Sequence, residues 1–356
     1  MSYLYIGSTG EHAGQSLITW AIGRRLVEMG LDVGFMKPFG TYPIQIGDTW
    51  TDQDAMFFKE ILHLEESLDQ ICPYLLPGDQ WREKGTDVIT EEVKALALEL
   101  QRNKDILLLL GSQDIFFDDI GRPVSDVALV SALEAPFVLV HRYLRASTSI
   151  YSILSIRSLL KDQMKGVIIN RLTPEKQSEV RTQLMPKLTQ SGIPFITSIR
   201  EDTSLSARSI KEINVSIEGE VLCGGEYMAR PVGGVTVGAA DLTEDLRVFK
   251  RVYNKIVLLA PPSTDVEAED DASDRAISGI ILTGGRKPAA PVLEAAKRAN
   301  MPLILTRADT FEALDRLEQK IPALSPKDEA KVTHFTRLMD QDGAFDKLLQ
   351  AIGVMS

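Results

Sequence analysis

Residues 7–16 read GSTGEHAGQS, between the apolar run YLYI (3–6) and the amphipathic LITWAIGRRLVEMG (17–30). A strand, a glycine-bearing turn and a helix together place backbone amides where they attract anions. Aligned on GxxxxGK[ST] from Thr9, the stretch becomes TGEHAGQS. Thr9 stands at the first glycine, and Gly10, Glu11, His12 and Ala13 fill the loop. Gly14 is in place, Gln15 replaces the lysine, Ser16 keeps the hydroxyl and Leu17 follows. Gly14 permits close backbone approach to a phosphate, and Ser16 can bind Mg²⁺ beside it. Gln15 donates a neutral hydrogen bond, worth about 0.5–1.5 kcal/mol where a charged one contributes roughly 1.5–3. Phosphate binding is weakened by this exchange and not abolished. A plain strand-to-helix turn accounts for the loop equally well on the motif alone.

Outward from the loop, short apolar runs alternate with amphipathic stretches. The runs are VGFMKP (33–38), DILLLLG (105–111), APFVLVHRY (135–143), MKGVIINR (164–171) and IPFITSIRED (193–202). Helical patterns such as TEEVKALALELQRN (90–103) and STSIYSILSIRSLLKD (147–162) lie between them. Runs apolar on both faces predict strands of a doubly wound parallel sheet, an α/β fold with helices on both sides. Near residue 210 the character changes. SIKEINVSIEGEVLCGGEYMARPVGGVTVGAA (209–240) is richer in Gly and Val and has a strand-like rhythm. The acidic STDVEAEDDASDR (263–275) reads as a loop or a solvated helix start. A compact βαβ unit follows in AISGIILTGG (276–285), KPAAPVLEAAKRAN (287–300) and MPLILTRADT (301–310). We therefore expect a first domain over 1–212 and a small α/β domain over 213–356, ending in a helical tail from 325.

The 356 residues leave room for two or three domains. The formal net charge of −11 argues against nonspecific nucleic-acid binding and against a basic membrane-surface protein. No apolar run approaches the ~20 residues of a membrane span. YLYI begins too early to leave room for a cleavable signal, so a cytoplasmic location is expected. Cys72 and Cys223 form no CxxC motif, and His12, His63, His141 and His334 are scattered without metal-ligand spacing.

GFMKPFGTYP (34–43), TDQDAMFF (51–58), GVIINR (166–171) and IREDTSLSARSIKEI (199–213) follow the loop in order. Together they resemble the dethiobiotin-synthetase-like P-loop domain, in the form found at the N-terminus of long bacterial phosphotransacetylases. The resemblance implies ATP and Mg²⁺ as ligands. It places Lys37 near the terminal phosphate, Asp52 and Asp54 with Ser16 at metal or substrate, and Asn170 and Arg171 at the base edge. Lys37 and Asp54 are its candidates for catalysis. The second half resembles the DRTGG domain, which follows the P-loop domain in the same proteins. Its naming motif stands here as Ala229-Arg230-Pro231-Val232-Gly233, and ILTGG (281–285) is clear. The resemblance covers residues 1 to about 345.

Departures from the family matter as much. Its transferase domain would begin after about residue 350, so acetyl transfer is not expected from this sequence. Where the family carries a metal-binding carboxylate, DILLLLGS offers Leu110, which cannot ligate Mg²⁺. Asp114, just past that strand, is a candidate to compensate, whereas Asp118 and Asp119 read as solvated acids. The reading that follows is a nucleotide- or metabolite-sensing regulatory protein, a pseudo-enzyme with weak or no catalysis. One alternative is an ATP- and Mg²⁺-dependent ligase or carboxylase of the dethiobiotin synthetase type. Another is a non-catalytic partner of a separate enzyme such as a phosphotransacetylase. The family implies a homo-oligomer, a dimer being the simplest, with no nucleic-acid or membrane partner.

Lesser signals have plainer readings. His12 reads as a loop residue or a nucleotide contact, and His141 as a satisfied strand-end histidine. Ser206 and Ser209 read as helix caps, and Asp309 with Glu312 as an N-cap pair. Arg286 and Lys287, after Gly284-Gly285, read as solvated cations on a tight turn rather than an anion site.

Overall fold

The apolar runs become the strands of one sheet in the computed structural model, which describes residues 2–10, 13–76, 83–115, 124–238, 256–260, 277–319 and 324–355. These strands are β1 (Ser2–Ser8), β2 (Val33–Met36), β3 (Ile106–Leu110), β4 (Phe137–Arg142), β5 (Met164–Leu172) and β6 (Phe195–Arg200). They are all parallel, in the order β6-β5-β4-β1-β3-β2. Parallel strands need crossover helices, and these are α1 (Gln15–Glu28), α2 (Gln53–Ile61), α3 (Thr86–Gln101), α4 (Asp126–Leu133) and α5 (Ala146–Leu160), with a helical run over residues 174–190 joining β5 to β6.

Why the runs must be apolar throughout follows from what covers each face. Tyr5, Leu107, Leu109, Leu139, Val167 and Ile169 share one core with Ile89, Val93, Leu129, Ile153 and Ile156 of α3, α4 and α5. Their strand neighbours Leu4, Ile6, Leu108, Leu110, Val138, Val140 and Ile168 are also fully buried, and by strand alternation point the other way. That second face is covered by α1 and by two helices from the end of the chain, α9 (Glu329–Met339) and α10 (Ala344–Ala351).

This pair changes how the chain divides. The compact units are Met1–Glu201 together with Ala323–Ser356, and Asp202–Pro322. The expected division at 212/213, with the tail in the second domain, differs from this at both ends. The tail settles on the first sheet because Val332, Phe335, Met339, Phe345, Leu348 and Leu349 form apolar faces and become buried there. Burying each large side chain contributes about 1.5–3 kcal/mol. The ion pairs Arg24–Glu329 (3.3 Å) and Arg25–Asp346 (3.6 Å) are half-exposed and add at most about 1 kcal/mol each. Burial decides the placement, and the ion pairs add little to it.

The second unit contains α6 (Ile210–Ser216), β7 (Glu220–Cys223), β8 (Gly234–Val237), β9 (Ile256–Ala260), β10 (Gly279–Leu282), α7 (Ala290–Arg298), β11 (Leu303–Leu305) and α8 (Thr310–Gln319). Its strands run β7-β11-β10-β9-β8, with only β10 and β11 parallel. Residues 210–216, which carry a strand-like rhythm, are helical instead. Ser209 and Glu212 cap each other reciprocally, and Ile210, Ile213 and Ile217 then fall on one face against Val257, Leu259 and Ile304. The acidic segment 263–275 lies outside the described residues. Among the described residues no helix is long and apolar enough to cross a membrane.

Candidate functional site

The loop between β1 and α1 is tied down at three points. Gly14 caps α1 with φ 89°, in the left-handed region that favours glycine. A Cβ there would stand 2.5 Å from the Asn170 Nδ2. Asn170, buried near the end of β5, donates that same amide to the Ala13 carbonyl at 2.7 Å. Thr9 donates its backbone N–H to the Val140 carbonyl at 3.3 Å and shares a 2.6 Å hydrogen bond with His141 Nδ1. The other ring nitrogen of His141 meets the Ser149 hydroxyl in the first turn of α5 at 2.7 Å. Gly14, Ala13 and Thr9 are thereby held by β4, β5 and α5. Glu11 and His12 lie outside the described residues.

His141 is 4% exposed, and burial lowers its pKa from the ordinary 6.5 to about 4. The ring is neutral, with one nitrogen donating and the other accepting. Because the folded value lies below the unfolded one, the unfolded chain takes up this proton first. The stability is present above pH 6.5 and is lost as pH falls toward 4. The full effect is on the order of 3 kcal/mol. Urea unfolding between pH 7 and pH 4 should show this decline, and His141→Gln should remove it. An identical acid limb in both proteins would show that His141 does not titrate this way.

Gln15 is only 7% exposed. Its Nε2 donates to the Gly111 carbonyl at 3.3 Å, while its Oε1 has no partner among the described residues. The side chain in the lysine position is therefore turned toward the end of β3. Leu110, where the family carries a carboxylate, is fully buried and offers no ligand. Asp114 lies beside the loop through a backbone bridge to Thr9. Asp118 and Asp119 lie outside the described residues.

Lys37, Asp52 and Asp54 come together. Lys37 is 2% exposed, with Nζ at 2.8 Å from Asp52 Oδ1 and 2.7 Å from Asp54 Oδ2. Burial lowers the Lys37 pKa, but Asp54 and Asp52 outweigh it and hold the ammonium well above its ordinary value. Asp52 is fully buried and also accepts from the backbone N–H groups of Thr41 and Tyr42 (2.9 Å each) and Asp54 (2.8 Å). Both Asp52 oxygens are therefore engaged, and Asp52 caps α2 while clamping Lys37. One oxygen of Asp54 and the Ser16 hydroxyl have no partner among the described residues. No group of three or more His, Cys, Asp or Glu suited to a metal occurs among them either. This donor set fits an ion carried mainly by ligand phosphates, as Mg²⁺ usually is, and not a protein-built cage.

One site residue escaped the sequence reading. Asp126 is fully buried at the start of α4 and accepts from the Tyr5 hydroxyl (2.6 Å), the Ser112 N–H (2.9 Å) and the Ser112 hydroxyl (2.5 Å). It fixes the turn leaving β3. The available signal was its position, three, four and seven residues before Leu129, Val130 and Leu133 on the apolar face of α4.

In the second unit, Gly284 and Gly285 take φ 82° and 68°, and their N–H groups donate to the Ala308 and Thr306 carbonyls at 2.8 Å. Those amides are spent within the turn. Lys287 lies 3.7 Å from Glu220 and is mostly exposed, and the Asp309 carboxylate accepts from the Glu312 N–H at 2.8 Å. The plain readings of a tight turn and an N-cap fit this geometry.

Residues 212–320 match the DRTGG domain model. A phosphate acetyltransferase of Synechocystis sp. is 24% identical over 381 residues, covering 98% of this chain and 51% of that protein. The chain thus spans about half the length of that relative. The ATP-dependent dethiobiotin synthetase BioD of Thermodesulfovibrio yellowstonii is 24% identical over 238 residues, covering 59% of this chain and 95% of that protein. Among solved structures, the MinC:MinD cell division protein complex of Aquifex aeolicus matches at 17% identity with a TM-score of 0.35. That match covers 58% of this chain and 84% of the other.

Proposed function

We propose that this chain, a P-loop NTPase-like domain joined to a DRTGG domain, is a nucleotide- or metabolite-sensing regulatory protein with weak or no catalysis. The observation that supports this reading most is the disposition of charge around the loop. The residue in the lysine position is the neutral Gln15, turned onto Gly111, and Lys37, the cation that the resemblance puts near the terminal phosphate, is neutralised by two carboxylates. Leu110 removes a third electrostatic element. Phosphate recognition then falls to the loop amides and Ser16. Asn170 fastens the loop to β5. Self-association, a separately encoded enzyme as partner, and a cytoplasmic location belong to the same reading.

A second reading is favoured by the intact Lys37–Asp52–Asp54 cluster. It is an ATP- and Mg²⁺-dependent ligase or carboxylase in which Lys37 approaches the terminal phosphate, and Ser16 and Asp54 hold Mg²⁺ with the ligand's phosphates. Titrating the full chain with ATP by calorimetry, with and without Mg²⁺, and assaying ADP release separates the two. The sensor reading expects binding whose Kd changes less than about threefold with Mg²⁺, and no ADP. Mg²⁺-dependent ADP formation that rises with a small amine or carboxylate acceptor would establish the ligase. No ATP binding in either condition would remove ATP from both readings.

A further inference from the structure

Three neighbouring strands of the first sheet end in arginine: β4 at Arg142, β5 one residue before its end at Arg171, and β6 at Arg200. Register brings them together. Arg142 pairs with Asn170, and Arg200 with Leu172, so Arg171 lies between the two paired positions on the middle strand. Adjacent strands are about 4.8 Å apart. Among the described residues none of the three forms an ion pair. Arg142 and Arg200 are exposed, while Arg171 is half-buried. Burial and then the nearby Arg142 both act against the charge on Arg171, with Glu201 opposing them. Its backbone is in the left-handed region, at φ 54°, which is uncommon for a residue with a side chain. Solvated arginines on a strand edge require neither the half-burial nor this backbone. The cluster also runs against the chain's net charge of −11, and it sits at the carboxyl ends of parallel strands, where open α/β sheets bind ligands.

We propose that Arg142, Arg171 and Arg200 form an anion subsite for a multiply phosphorylated small molecule. Guanidinium groups suit this task because each offers several donors in a fixed fork that matches phosphate oxygens. The subsite does not depend on the loop retaining phosphate. It supplies the cationic charge that Gln15 withholds there, and a ligand bound across both would have anionic groups at two separated positions.

Inorganic tripolyphosphate is the probe, titrated calorimetrically into the full chain at low salt. The wild-type protein should bind it, and the exposed-site double variant Arg142→Gln/Arg200→Gln should weaken binding at least about tenfold. Arg171→Gln should do the same, with a thermal melt confirming that it folds. If Arg171→Gln fails to fold, the double variant alone decides, because both its positions are on the surface. Absence of wild-type binding overturns the proposal. So does binding that survives the arginine changes but is lost in Ser16→Ala, which would assign the anion to the loop. Tighter binding of a single-stranded oligonucleotide than of tripolyphosphate would overturn the small-molecule assignment.

Discussion

Replacing Lys37 with methionine should destabilise the first unit by about 3–5 kcal/mol in urea unfolding, the usual cost of removing one partner from a buried ion pair. Methionine fills much the same volume, so the loss is electrostatic rather than a cavity. Asp52 would keep its backbone donors from Thr41, Tyr42 and Asp54, yet it would face Asp54 with no cation between them. The further change Asp54→Asn should therefore recover part of the loss. The pH dependence has a definite sign. The folded Lys37 value is raised, so its contribution is fully present below the ordinary 10.5 and is lost only as pH rises through the folded value. The penalty should be the same at pH 6 and pH 9. A loss below about 1 kcal/mol would mean that water or a rearranged loop replaces the ammonium.

Asp126→Ala should cost about 3–4 kcal/mol. The reason is the asymmetry between losing a hydrogen bond and stranding its partner, which costs about 1–3 kcal/mol for each buried group. Alanine would remove the acceptor of two donors, the Tyr5 hydroxyl and the Ser112 N–H, while the Ser112 hydroxyl keeps the Asp114 carbonyl at 3.1 Å. Tyr5→Phe removes only one donor and leaves Asp126 paired with Ser112, so it should cost about 1 kcal/mol. Equal losses for the two variants would show that packing around Tyr5, and not the carboxylate, holds this corner.

The strands of the first sheet were legible because ILLLL and FVLV carry no polar residue on either side and are short enough for strands of a sheet covered on both faces. The loop was legible because Gly14 is required by a left-handed backbone beside Asn170, a demand that leaves its mark in sequence. The tail was not. An amphipathic helix declares that it has an apolar face and says nothing about which sheet will receive it, so residues 329–351 read as an extension of their sequence neighbours. Residues 210–216 misled for a related reason. Ile210, Ile213 and Val215 suit either period over so short a span, and the decision lay with the Ser209–Glu212 cap. Gln15 was identified as the departure from the motif, but its turn onto Gly111 depends on a carbonyl 96 residues away. Asp126 likewise depends on Tyr5, 121 residues away, and on Ser112, 14 residues away.

The placement of α9 and α10 has a consequence for how the protein is made. Synthesis yields all six strands of the first sheet by Arg200, but the last helices that cover one face emerge only after the second unit has been translated. The growing chain must therefore hold an unfinished layer while an inserted unit of its own leaves the ribosome. A fragment ending near Glu201 would retain every strand and the phosphate loop, yet present bare apolar surface where Phe335, Phe345 and Leu348 belong. Expressed with a separate peptide spanning 324–355, the same fragment should become soluble through association in trans.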